Sequence, residues 1–300
     1  LSRRFTDDGG HGNFELAMAP DSNINRATDA KTLDVPLAPL GPLELSDDAR
    51  QQSGLGLRTT GQIYARIRLS PQIALVPRLS SDATFYRKSQ FNDVSGSALV
   101  GVEWQSASGR DRVTPSGGKT WRSFGGEAFA RTTNFDLRWT HRLGKRAQSD
   151  MTFSYGRTTY VRNALQDGNL FSLTASVERA LSARSGIGIS ANVQRQSARD
   201  PQFATIAGGA TILRWRDMGK MTVFANATVR RLESDAPFFG GFFDRRKEWY
   251  LRGGVGATFR QVQVAGFSPV VRASYERNIA NVGIFDYRRT TVDIGITRAF

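Results

Sequence analysis

The chain has 300 residues, of which 39% are hydrophobic, and a mean hydropathy of −0.38; no run approaches the ~20 apolar residues of a spanning helix, which excludes a helical membrane protein. It carries 41 Lys and Arg against 27 Asp and Glu, a net charge of +14 that fits nucleic acid, anionic lipid headgroups or an acidic client. Cysteine is absent, which excludes disulfides and thiolate metal sites; the opening LSRRFTDDGG lacks an initiator Met and an apolar h-region, and reads as a mature chain or a fragment of a longer one.

Short amphipathic strands follow one another along the chain. In IYARIRL, Ile63, Ala65, Ile67 and Leu69 share one parity, Tyr64, Arg66 and Arg68 the other. FSLTASVER sets Phe171, Leu173, Ala175 and Val177 against Ser172, Thr174, Ser176 and Glu178. IGISANVQRQ repeats this with Ile187, Ile189, Ala191 and Val193, and MTVFANATVR with Met221, Val223, Ala225, Ala227 and Val229. WYLRGGVGATFR places Trp249, Leu251, Val255, Ala257 and Phe259 opposite Tyr250, Arg252, Thr258 and Arg260. The last stretch, TTVDIGITRAF, alternates to Phe300. Period two predicts half-buried strands, and helical spacing fits none of these windows. About 14 strands are predicted, over 12–19, 53–69, 73–87, 94–105, 110–121, 128–141, 150–162, 170–179, 186–198, 204–216, 220–233, 248–260, 263–277 and 286–300. The fifth is the weakest, with Pro115, Gly117 and Gly118 inside it.

Three features favour a membrane barrel over a soluble sandwich. Many runs reach the ~9–11 residues of a tilted membrane strand, where soluble strands average ~5–6. Apolar faces end in aromatics, Trp104, Trp139, Trp215, Trp249 and Tyr275, as in the girdles of outer-membrane barrels. Connections alternate between tight ones (70–72, 216–219, 260–263) and long ones (21–50, 233–248). The expected fold is all-β, a transmembrane antiparallel up-and-down barrel forming a single domain over 1–300. Even strand parity and short periplasmic turns put both termini in the periplasm of a Gram-negative cell. The final strand would close the wall on the first. Asp293, Gly295 and Phe300 also fit the C-terminal signal that the barrel-assembly machinery reads, with Arg298 at a place where an apolar residue is usual.

If the apolar parity meets lipid, the other lines the lumen. It holds Arg58, Arg66, Arg68, Arg78, Arg138, Arg230, Arg252, Arg260 and Arg272, and fewer acids: Asp82, Glu103, Asp136, Glu178, Glu276 and Asp293. Such a lumen attracts anionic solutes or an acidic segment; alternatively, the arginines form cross-strand ladders with carboxylates that stiffen the wall. Chemistry is not expected. His11 is placed ahead of the first strand, and His141 on the parity of Phe135, Leu137 and Trp139 near a periplasmic end. No paired carboxylates, phosphate-cradling loop or metal spacing stands out, so no enzyme activity, cofactor or metal is predicted. Nucleic acid is not expected either, because the aromatics lie mostly on the apolar face. The run APFFGGFFDRR, with Phe238, Phe239, Phe242 and Phe243, is expected to pack on neighbouring loops; the alternatives are plugging the barrel mouth, contacting lipid or binding a protein.

Two segments carry a family resemblance. APDSNINRAT (19–28) resembles the DSNIN-type opening of the barrel domain of surface lipoprotein assembly modifiers, through Asp21, Ser22 and Asn23. The end (273–300) resembles that family's closing signature: Tyr275, Glu276, Arg277 and Asn278, then Asp286, Tyr287, Arg288 and Arg289, then Gly295, Thr297, Arg298 and Phe300. That signature also accounts for Arg298. The middle matches mainly in strand rhythm. The resemblance implies an outer-membrane barrel that helps particular lipoproteins or secreted proteins reach the surface, with outer-membrane lipids, the assembly machinery and a client as partners. It also implies a periplasmic tetratricopeptide-repeat domain ahead of the barrel, absent from these residues, through trimming or in a barrel-only variant; Leu1 as first residue points to trimming. A porin-like channel for small anionic solutes is the alternative reading.

Overall fold

In hydrocarbon every backbone N–H and C=O must find a partner within the protein, so alternating strands can span only by closing on themselves. The computed structural model, which describes residues 9–34, 41–238 and 244–299, shows that closure. The strands are β1 (Gly9–Asp21), the short loop pair β2 (Thr32–Leu33) and β3 (Leu43–Glu44), β4 (Gly54–Arg68), β5 (Ile73–Tyr86), β6 (Asp93–Gln105), β7 (Asp111–Phe124), β8 (Glu127–Arg142), β9 (Ala147–Tyr160), β10 (Gly168–Ser182), β11 (Ser185–Gln196), β12 (Thr205–Asp217), β13 (Met221–Pro237), β14 (Arg245–Phe259), β15 (Ser268–Ala280) and β16 (Tyr287–Ala299). All except β2 and β3 form one closed, wholly antiparallel barrel in sequence order, so the wall has the expected 14 strands. β1 pairs with β16, Asn13 opposite Ala299 and Met18 opposite Ile294.

The start of β1 and the end of β16 lie at one end of the barrel, here the terminal end, with the turns 69–72, 106–110, 143–146, 183–184, 218–220 and 260–267. The other, loop end carries 22–53, 87–92, 125–126, 161–167, 197–204, 238–244 and 281–286. Two expectations about these connections need correction. The turn placed at 260–263 runs to 267, and β15 starts at Ser268 rather than at 263, because Ala265 and Gly266 take positive φ (52° and 81°) and break the extended chain. The alternation of short and long fails there, and again where β7 and β8 join at the loop end through Gly125 and Gly126 alone, both at positive φ (63° and 84°), as a two-residue hairpin requires.

Parity sets the two faces. Along β10, Phe171, Leu173 and Val177 are exposed on the outer wall, while Ser172, Thr174 and Ser176 are half-buried inside. Trp104, Trp139, Trp249 and Tyr275 stand on the outer face, joined by Trp121. Trp215 does not. It pairs with Gly186 on the inner face, where a Cβ on that glycine would sit 2.6 Å from the indole. Ile212, directly opposite Ile189, fixes the outer parity of β12, so Trp215 points inward and leaves the girdle. His11, expected ahead of the first strand, belongs to β1 and faces Tyr64, ring centroids 5.2 Å apart.

Close approach explains two of the glycines. A Cβ at Gly118 would lie 2.0 Å from the Ala98 carbonyl oxygen, so the weak fifth strand pairs with β6 only because that position has no side chain. At the closure, a Cβ on Gly295 would lie 2.1 Å from the Leu16 carbonyl oxygen. Cross-strand hydroxyl pairs line the inner wall, among them Ser80 with Ser97 (2.6 Å), Thr132 with Thr158 (2.9 Å) and Thr211 with Thr228 (2.9 Å). The apolar cluster that the protein buries for itself lies at the loop end. Leu33 and Val282 are packed with Leu45, Phe238, Ile284 and Phe285, uniting three loops. Phe238 meets Phe285 edge-on at 5.0 Å, so the first phenylalanine of APFFGGFFDRR packs on its neighbours; Phe239, Phe242 and Phe243 lie outside the described residues.

Candidate functional site

The polar residues of the inner face gather most densely at the loop end, where the first long loop folds back over the wall. Asn23, fully buried, organises that fold. Its side-chain amide donates to the carbonyls of Ala27 (2.9 Å) and Arg288 (3.0 Å), and its oxygen accepts from the Ala27 N–H (3.0 Å). Ser22 N–H donates to the Thr290 carbonyl at 3.0 Å and Thr290 N–H to the Ser22 hydroxyl at 2.8 Å, extending the β1–β16 seam past the strand ends. The returning limb is laced to the outgoing one: Asn25 donates to Arg50 O (2.6 Å), Ile24 N–H to Gln52 O (2.8 Å) and the Gln51 side chain to Ser22 O (2.8 Å). The loop is thus built on main-chain groups and small polar side chains, and Arg26, at φ 49°, is turned towards the lumen.

Beneath it lies a buried ionic cluster. Arg289 Nε donates to Asp21 Oδ1 at 3.0 Å and Nη2 to Oδ2 at 2.5 Å. Asp21 also accepts from the Tyr86 hydroxyl (3.0 Å) and the Asn23 N–H (2.9 Å), so a side chain with no exposed surface has its lone pairs filled. Glu276, equally buried, has three guanidinium groups around it, Arg289 at 3.6 Å, Arg26 at 3.7 Å and Arg252 at 3.8 Å, with no hydrogen bond at Oε2. Next to these, Arg58 Nη1 donates to both Asp293 oxygens, at 2.9 and 3.0 Å. A lumenal cleft of about 410 Å³ runs between Arg58, Asp82, Asp93 and Arg122 on one wall and Arg252, Glu276, Arg289 and Thr291 on the other, under Asn25 and Arg26. Its lining holds five arginines and three carboxylates, and Asp21 and Asp293 just behind it pair with Arg289 and Arg58.

The nine arginines expected on the inner face divide into two groups. Arg58, Arg66, Arg138, Arg252, Arg260 and Arg272 face carboxylates: Asp293, Glu103, Asp150, Glu276, Asp217 and Glu15 in turn. Ladders therefore account for much of the basic lumen. Arg230 stands over the Tyr250 ring at 5.8 Å, and Arg78 and Arg230 each carry a buried Nε without a hydrogen-bond partner. Arg68 continues the parity of Arg66 at the end of β4. His141 is on the outer face, its Nδ1 2.7 Å from Asp111 Oδ1, which also accepts from the Trp139 indole at 3.2 Å. No group of three or more His, Asp or Glu able to hold a metal occurs among the described residues.

The sequence matches the model of the surface lipoprotein assembly modifiers over residues 11–300. The chain belongs to that family. No curated protein matches it. Among solved structures, its fold is similar to a deletion mutant (deltaS2) of the TodX monoaromatic hydrocarbon channel, with 11% identity over 98% of this chain and 90% of that one and a TM-score of 0.52. It is also similar to OmpT of Vibrio cholerae, an outer-membrane protein (8% identity, 98% and 99% covered, TM-score 0.52), and to an outer membrane channel of Pseudomonas putida F1 (11%, 98% and 97%, TM-score 0.50). At such identities the likeness is one of fold.

Within the chain, the two signature segments, far apart in sequence, meet across the seam. Asp21, Ser22 and Asn23 from the opening segment contact Arg288, Arg289 and Thr290 of the closing one. Arg277 pairs with Asp286, and Arg288 with Asp29 at 3.0 Å, holding the β15–β16 loop and the first loop. Tyr287 shares the inner parity of Arg289, and Tyr275 stands on the outer wall. Gly295 fits the closure geometrically, Asp293 serves as partner of Arg58, and Phe300 lies outside the described residues. Sequence reasoning missed Glu15, Tyr86, Asp93, Asp150 and Asp217 as partners. Glu15 sits on the inner parity of β1 beside Ala17; the four others lie at strand ends, where the pattern breaks off.

Proposed function

We propose that this chain is an outer-membrane translocator barrel that assists export and surface display of specific lipoproteins or secreted proteins, with both termini in the periplasm. Family membership supports the class of client. The observation that carries the reading for this chain is the loop-end architecture: both family signatures are spent on docking the first loop across the barrel's closing seam and over a densely charged lumenal cleft. A passing polypeptide would meet alternating arginines and carboxylates there, a surface that holds an extended polar chain weakly at many points. The chain's own residues form a guide and a partly capped mouth, and no catalytic step is assigned. The termini-in-periplasm orientation rests on the shorter connections at the terminal end. Assembly by the barrel machinery, read from the C-terminal strand, completes the proposal.

Deleting the gene in a host that displays a client lipoprotein, and labelling intact cells with antibody to that client, tests this. Loss of surface signal with unchanged total lipoprotein, restored by the wild-type gene, supports the proposal; unchanged display of every candidate client refutes it. The second reading, a channel for small anionic solutes, draws on the lumenal arginines that lack a carboxylate partner, Arg78 and Arg230. Planar-bilayer recording separates the two, since a steady anion-selective conductance favours the channel and a closed or flickering barrel the translocator.

A further inference from the structure

The outer wall carries arginines at both ends. At the loop end Arg195 pairs with Asp235, Arg231 with Glu233 at 2.8 Å, and Arg277 with Asp286. Arg131 and Arg157 at the loop end, like Arg179, Arg214 and Arg216 at the terminal end of β10–β12, form no ion pair among the described residues. Arg179 continues the outer parity of Val177, and Arg214 and Arg216 continue that of Ile212; all three are exposed. The register places Ile187 between Arg179 and Arg214, so two arginines stand two strands apart, roughly 9–10 Å, within joint reach of one small anion. Arg184 in the β10–β11 turn adds a fourth guanidinium, and with Arg214, Arg216 and the carboxylate of Asp217 it lines a cleft of about 580 Å³. Of the acids next in sequence, Glu178 is opposite Gly188 on the inner parity, while Asp217 lines the cleft and is itself engaged by Arg260.

The geometry points to a binding site for the phosphodiester headgroup of an anionic phospholipid in the leaflet at the terminal end. Planar guanidinium groups suit phosphate oxygens bidentately, and several within reach of one headgroup add their contacts. The cluster borders Leu181, Ile187, Ile189 and Ile212, the outer wall on which acyl chains lie, so headgroup and tail are both accommodated. A polypeptide in transit through the lumen has no access to this face. With the termini periplasmic, this is the phospholipid leaflet, and the site would anchor the barrel's depth there. The inference rests on the membrane-barrel reading and the periplasmic placement of the termini proposed above, but not on the translocator role, and the following experiment uses no client.

The full chain, folded in detergent micelles, is titrated with phosphatidylglycerol or phosphatidylcholine of identical chains and examined by native mass spectrometry; the heat-modifiable band certifies folding. Phosphatidylglycerol adducts are expected to persist at collision energies that strip phosphatidylcholine, with apparent affinity falling about fivefold for each arginine removed. R179Q/R214Q/R216Q should bind the two lipids alike, whereas R195Q/R231Q at the opposite end keeps the preference. If the triple variant does not fold, R214Q and R216Q singly report the same loss at one step each. Equal retention of both lipids by wild type, an unaltered preference in the arginine variants, or displacement by millimolar inorganic phosphate as effectively as by lipid would overturn the site.

Discussion

Removing the Asp21 carboxylate tests whether the loop-end cluster is a structural keystone. Asp21→Ala strips Arg289 of both of its short contacts and leaves that guanidinium 5% exposed, with only Glu276 nearby at 3.6 Å. The Tyr86 hydroxyl and the Asn23 N–H lose their acceptor as well. Breaking a buried ion pair from one side costs about 3–5 kcal/mol, and the remaining Glu276 charge places this case towards the lower end, near 3 kcal/mol. Replacing both partners with apolar residues of similar size, Asp21→Leu with Arg289→Met, should recover most of that loss, because neither charge is then stranded. The assay is urea unfolding of the refolded barrel in micelles, followed by tryptophan fluorescence and by the heat-modifiable band. A double-mutant cycle should give a coupling of roughly 2 kcal/mol or more between the sites. Single variants that each lose under about 1 kcal/mol, and that add without coupling, would mean the pair behaves as an exposed one and that the keystone argument is wrong.

Gly295→Val should prevent closure of β16 on β1, since even its Cβ would overlap the Leu16 carbonyl; the expected outcome is loss of the heat-modifiable band, and a normally folded variant would contradict the close approach. Val282→Ala removes two methyl groups from the cluster joining the three loops, a loss of roughly 1.5 kcal/mol that should appear as faster hydrogen exchange in 22–53 and 281–286 with the barrel strands unchanged. Trp215, being inside, should be quenched by iodide and spared by brominated lipid, whereas Trp104 and Trp139 should show the reverse in single-tryptophan variants.

Much of the wall was legible because a barrel strand has only two faces. Where one face is apolar and the other polar, as from Phe171 to Val177, two-residue parity fixes which residues meet lipid. The reading slipped where both neighbours are apolar. Ile212 and Leu213 adjoin in β12, and the aromatic Trp215 was attached to the wrong row; the structure resolves this through the void over Gly186 that the indole fills. The run QVQVAG imitates a strand start, but backbone conformation at Ala265 and Gly266 overrides its alternation. Ion pairs were less legible than faces. Arg58 and Asp293 are 235 residues apart, and their meeting depends on barrel closure, which no local pattern encodes. The two signature segments pointed to the loop-end site as sequence, and only the seam register shows why Asp21 and Arg289 belong together.

The central claim is that client polypeptide passes through or against this lumen. The most direct measurement places a photoreactive residue at Thr84 or Arg252, both lining the loop-end cleft or adjoining it, and at Leu251 on the outer wall, then irradiates cells while a client is being exported. The account predicts client adducts from Thr84 and Arg252 and none from Leu251. Adducts confined to Leu251, or none at any lumenal position while surface display still depends on the chain, would contradict it.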